Sequence, residues 1–235
     1  MVKIVRQSFA NYSVMTFILM SYALVYTSYS ISKGESALSL EHLKHFTVAN
    51  YYFAGTAMVT LIGVWKLKSW SKFLNIIFFL YSLYYLLQDF TLSQNKVILL
   101  LLFLYLLHSF LFYLIYDAEL KSPANNPLYF HNQVDLDSNS RIPVNVYFDD
   151  GAHAGYLTNW GPHACFVSLN EKLQEIPSGK AKVSVAYGSH LFEAEGYVSS
   201  YFCNGIGLRF VAHEMTTYNW KLLVSILNRK GFLPV

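Results

Sequence analysis

Charge is what this sequence has least of. Only 13% of its residues are charged, against about a quarter in an ordinary soluble domain. The net charge of +3 is too small to point to nucleic acid as a partner. Cysteine is almost absent as well. Cys165 and Cys203 show no metal-ligand spacing, and in a cytosolic compartment they are expected as reduced core thiols. The chain has no nucleophile elbow, no phosphate-binding glycine loop and no dinucleotide fingerprint. His153, His163, His190 and His213 make no recognisable metal or catalytic set. An enzyme is not expected, and neither is a cofactor.

What is abundant is apolar sequence, 54% of the chain, collected in its first half. A helix needs about 20 apolar residues to cross a hydrocarbon core. Four segments reach that length: Val14 to Ile31, Phe46 to Trp65, Phe73 to Leu92 and Val97 to Tyr116. The lipid bilayer is therefore the first partner to expect. Lys3 and Arg6 precede an apolar run too long for a secretory signal, with no convincing small-residue cleavage site after it, so the N-terminal segment is expected to be retained.

Orientation follows from the short loops. Lys3 and Arg6 lie before the first span, and Lys66, Lys68 and Lys72 between the second and third. On the other side Lys33 and Lys44 are offset by Glu35 and Glu41, and the last loop has only Lys96. Both ends of the chain are thus expected in the cytoplasm, with Trp65 and Trp70 at the interface. His108 falls mid-span, where an ionisable group is a functional candidate by default; the plainer expectation is a neutral imidazole bonded to a Tyr or Ser of a neighbouring helix. Gln88 and Asp89 are expected to reach the interface. His42 and His45, at i,i+3, have no third ligand and are expected on a short solvated helix.

The composition changes after Asp117. Lys121-Ser122-Pro123-Ala124-Asn125-Asn126-Pro127 reads as a breaker-rich linker. Beyond it, Val144, Val146 and Phe148 alternate with polar residues at the period of a half-buried strand. Strands are also expected over Ala164 to Leu169, Lys182 to Tyr187, Leu191 to Phe202 and Ile206 to Val211, with turns at Gly188-Ser189-His190 and Asn204-Gly205. Trp220, Leu223, Ile226 and Leu227 give a closing helix one apolar face, with Thr216 or Thr217 as its cap and Arg229 to Gly231 as its stop. The expected division is 1–117 membrane region, 118–137 linker and 138–235 soluble domain.

Two short stretches carry a resemblance. Arg141-Ile-Pro-Val opens a strand, and Asn159-Trp160-Gly161-Pro162-His163-Ala164 makes a turn before the next. Together with Lys182-Val183-Ser184-Val185, Glu195-Gly196-Tyr197-Val198 and Gly205-Ile206-Gly207-Leu208-Arg209, this pattern resembles the PilZ family, small β-barrels that bind cyclic di-GMP. The family pattern is Arg-x-x-x-Arg before one strand and Asp/Asn-x-Ser-x-x-Gly in a later turn. Here Arg141 matches the second arginine and Asn159 the Asp/Asn, while Asp137 stands for the first arginine, Gly161 for the serine and Ala164 for the glycine.

With the four transmembrane helices read from the apolar runs, the expected fold is an α-helical membrane region followed by what the resemblance implies, an all-β, small antiparallel PilZ-like barrel with a C-terminal helix. The resemblance also implies a bacterial inner-membrane receptor that binds cyclic di-GMP through Arg141, Asn159, Gly161 and Ala164 and transmits the signal by ordering the segment before Arg141. The departures weaken that ligand. A hydrogen bond to a charged group is worth about 1.5–3 kcal/mol, so one lost arginine removes about one to two decades of affinity. The alternative is a PilZ-fold module that has lost the nucleotide and docks a protein partner instead.

Overall fold

The computed structural model describes residues 2–67, 70–128, 142–173, 177, 179–211 and 218–232. They divide into two compact units, one of Ser8–Leu120 and one of Met1–Gln7 with Lys121–Val235. Arg141, Asp135 and Asp137 fall outside the described residues, as do Thr216, Thr217 and His213.

The first unit is helical. Helix α1 (Phe9–Lys33) begins where the Ser8 side chain accepts from the Asn11 backbone N–H, and it ends at Gly34 with φ of +70°, the left-handed cap that glycine adopts without strain. Helices α4 (Ser71–Ser93) and α5 (Lys96–Leu120) are, with α1, long and apolar enough to cross a membrane. The apolar run expected to cross as Phe46 to Trp65 is two helices, α2 (Leu40–Ala49) and α3 (Tyr51–Trp65), bent by 90°. Asn50 makes the break. The Phe46 carbonyl accepts from both the Asn50 backbone N–H at 2.9 Å and the Asn50 side-chain nitrogen at 3.0 Å, and the Asn50 side-chain oxygen accepts from the Tyr85 hydroxyl at 2.8 Å, which ties the bend to α4.

Aromatic rings fill the centre of this unit. Phe17 stacks on Phe112 at 4.4 Å, and Phe53 lies between Tyr22 at 5.3 Å and Phe78 at 5.5 Å. A Cβ on Gly63 would come within 2.7 Å of the Ser71 Cβ, so α3 approaches the start of α4 too closely for any other residue. Asp89, near the end of α4, is buried, with the Ser32 hydroxyl 3.5 Å from its Oδ1.

The second unit is a closed antiparallel barrel. Strands β2 (Ile142–Phe148), β3 (Gly151–Gly161), β4 (Ala164–Leu169), β5 (Lys180–Tyr187), β6 (His190–Phe202) and β7 (Gly205–Phe210) pair in the ring β6-β5-β2-β3-β4-β7 and back to β6. Alternation sends Val144, Val146, Cys165, Val167, Val183, Val185, Ile206 and Leu208 into one core. Helix α6 (Trp220–Arg229), capped by Asn219, adds Trp220, Leu223, Val224 and Leu227 to it. The cap is thus Asn219, not Thr216 or Thr217. The two residues of β1 (Lys3–Ile4) pair with Tyr201 and Ser200 of β6, so the start of the chain, expected with the membrane region, belongs to the barrel.

One hairpin turn departs from expectation. The β6–β7 turn is Cys203-Asn204, with Gly205 already paired to Phe202. Cys203 carries φ of +56° where such a hairpin asks for glycine. It is half-exposed in a turn and not a core thiol. Cys165 is the core thiol, and burial pushes its pKa up, which keeps it protonated.

Candidate functional site

Asn159, Gly161 and Ala164, three of the four residues singled out for a ligand, lie on the outer face of the barrel, and that face is covered. Asn159 and Gly161 are strand residues of β3, not part of a turn; the turn is Pro162-His163, because Gly161 pairs with Ala164. Past a bulge at Thr158 the inward positions are Trp160, Cys165 and Val167. Asn159, Gly161, Ala164 and Phe166 therefore face outward. Ala164 pairs on its other side with Arg209 of β7. The structure thus brings Asn159, Gly161 and Ala164 together, while Arg141 lies outside the described residues.

The cover is the segment read from sequence as a linker. Ser122–Leu128, with one 3₁₀ turn at Pro123–Asn125, runs as a strap over β3, β4, β6 and β7. The Asn159 side-chain nitrogen donates to the Asn126 carbonyl at 2.7 Å. The Ser200 hydroxyl donates to the Ala124 carbonyl. Pro123 sits against Gly161, where a Cβ would be 3.1 Å from the proline ring. At Gly207 a Cβ would lie 1.8 Å from the Ala124 oxygen, so the strap seats only because that position has no side chain. Ala124 is fully buried, and so is Phe166, although it points outward.

Small residues make this trough. Gly161, Ala164, Gly205 and Gly207 occupy outward positions on three neighbouring strands, and their alternation with core residues was a signal present in the sequence. The Asn159 amide, the position matching the Asp/Asn of the ligand pattern, is spent on the strap. Ala164 has no positive φ, so alanine in the glycine position brings no backbone strain. Trp220 pins the neighbouring turn, its ring N–H donating to the Gly161 carbonyl at 2.8 Å.

Two guanidinium groups border the trough, and neither was expected there. Arg209 donates from Nε to the Ser199 hydroxyl at 3.1 Å, and Arg6 lies 4.4 Å above the Tyr197 ring. Tyr197 is the cross-strand partner of Arg209.

No protein-family model matches this chain, and no curated protein does. Among solved structures, an uncharacterized Legionella protein is similar, with 18% identity over 37% of this chain and 88% of that one, at a TM-score of 0.27.

The other sequence candidates are dispersed. His42 Nδ1 lies 3.3 Å from Glu35 Oε2 on α2 and its preceding loop. No group of three His, Cys, Asp or Glu side chains among the described residues could hold a metal. His108 does not bond to a neighbouring helix. Its Nδ1 is 2.7 Å from the Leu104 carbonyl one turn back.

Proposed function

We propose that this chain is a membrane-anchored, non-catalytic interaction module, a PilZ-like barrel whose nucleotide face is kept filled by its own strap. The observation that carries this reading is the spending of Asn159, Gly161 and Ala164 on Ser122–Leu128. A nucleotide bound there would have to displace a segment whose Asn126 and Ala124 carbonyls accept from the buried Asn159 and Ser200 side chains. The partner is a protein docking on the outer barrel surface or on α6.

The anchor is read as four crossings of a bacterial inner membrane, with both ends cytoplasmic. Pairing of β1 with β6 supports an even number. The chain enters α1 from the barrel and returns to the barrel after α5, and on this reading the bent α2–α3 pair makes the fourth crossing. Helix α3 alone, 15 residues and about 22 Å long, is short for a core of about 30 Å, and the mismatch falls on the bend at Asn50. Single cysteines at Ser36 and Gln94 should label from outside intact cells, and one at Lys121 only after permeabilisation.

A second reading keeps the nucleotide. Arg209 and Arg6 supply guanidinium groups beside the trough, the chemistry that a bis-phosphate ligand requires, and cyclic di-GMP would then act by displacing the strap. Titration calorimetry of the full chain in nanodiscs separates the two readings. The interaction module gives no heat with cyclic di-GMP in the wild type or in Gly207→Ala, whose strap is unseated. Heat in either protein favours the receptor, and heat in Gly207→Ala alone makes the strap its gate.

A further inference from the structure

A lateral cavity of about 660 Å³ runs between α1 and α5 inside the helical unit. Tyr12, Thr16 and Met20 line it from α1, and Leu104, His108 and Phe112 from α5. The walls are apolar save for a few hydroxyl groups and one imidazole. His108 stands midway along α5 and is exposed into this space. A carbonyl oxygen can only accept, so the Nδ1 facing the Leu104 oxygen carries the proton. Nε2 is then a bare acceptor, and among the described residues no donor reaches it. In hydrocarbon such an acceptor has no water to bond and stays unsatisfied until a donor arrives.

We infer that the α1–α5 groove binds a lipid-soluble molecule made of an apolar chain and a hydroxyl group, the hydroxyl donating to His108 Nε2. The inference rests on the helical unit lying in a bilayer, which cysteine labelling tests separately. An apolar chain fits the walls, and the volume suits a ligand of small-molecule size. A molecule without a donor leaves Nε2 unpaired. One hydrogen bond in a dry site discriminates strongly, because the cost of mismatch falls on the unpaired partner. Nothing in the groove offers a counter-charge, so a neutral alcohol or phenol fits where an anion does not.

The experiment uses the full chain in phosphatidylcholine nanodiscs with a diazirine-bearing long-chain alcohol as photoprobe. Saturable labelling is expected on α1 and α5 at the groove. Capping the probe as its methyl ether should reduce labelling about tenfold, and His108→Leu should do the same to the alcohol. Met20→Trp, at an exposed wall position, should block both probes by filling the space. His108→Leu removes a polar group from a lipid-facing surface, so it is expected to melt no lower than the wild type. Equal labelling by alcohol and ether, unchanged labelling of His108→Leu, or labelling spread evenly around the bundle would each overturn the inference.

Discussion

In the helical unit several buried hydroxyls bond to the carbonyl one turn back in their own helix, whereas in the barrel unit side-chain donors reach segments far along the chain. Ser21, Thr60 and Ser82 donate to the carbonyls of Phe17, Thr56 and Phe78. In the barrel, Asn159 reaches Asn126, Trp220 reaches Gly161 and Ser200 reaches Ala124. The bundle's longer-range polar contacts join Ser71 to Tyr116, Lys72 to Asp117 and Tyr85 to Asn50 near helix ends and the α2–α3 bend, and the Tyr105 hydroxyl of α5 donates to the Phe79 carbonyl of α4 at mid-helix. A helix in an apolar surround can satisfy a hydroxyl by itself. A barrel uses its side chains to tie down segments that its ladders leave out. Polar substitutions should therefore be mild in the first unit and severe in the second.

The strongest test is Trp220→Ala, which empties a core site and frees the Gly161 carbonyl. A loss of about 3–5 kcal/mol is expected in thermal or denaturant unfolding of the barrel. Gly207→Ala comes next. The added Cβ collides with the Ala124 carbonyl, and overpacking of about 1–3 kcal/mol should lift the strap. Hydrogen exchange would show this as lost protection at residues 122–128 with the strands unchanged; retained protection would mean that the strap does not depend on the missing side chain. Asn159→Ala should cost about 1–2 kcal/mol and loosen the same segment, because the Asn126 carbonyl loses its donor.

Cys203→Gly should act the other way. Relief of a positive φ in the β6–β7 turn is worth about 1 kcal/mol, read as a higher melting temperature. The smallest effect is expected at Thr60→Val in α3, within about 0.5 kcal/mol, since only a bond to its own helix is lost. A Thr60→Val penalty as large as that of Asn159→Ala would erase the contrast between the units.

The same contrast explains what could be read from the sequence. Helices α1, α4 and α5 are visible because their apolar runs are long enough to cross a membrane, and β4 runs from Ala164 to Leu169 as its pattern predicts. Strand β3 is hidden. Gly151-Ala-His-Ala-Gly155 has the small residues of a loop, and the bulge at Thr158 breaks the alternation. Strand β1 is too short to leave a period at all. The break at Asn50 was signalled only by one polar residue inside an apolar run. The strap is hidden for a different reason. Its residues are those of a linker, and the information about where it lies sits in its receptor, in Gly161, Ala164, Gly205 and Gly207. Of the residues the resemblance assigned to cyclic di-GMP, Asn159, Gly161 and Ala164 lie together under the segment that sequence alone reads as a linker.

The pairing of Lys3–Ile4 with β6 also sets an order of events during synthesis. Residues 3 and 4 leave the ribosome before any helix, yet their partners Ser200 and Tyr201 come only after the whole bundle has been threaded. Closing so large a loop is slow, because its entropy is lost before any contact rewards it. The opening residues must wait, extended and unpaired, until β6 exists. Until that pairing forms, the edge of β6 at Ser200 and Tyr201 is a place where another chain could intrude.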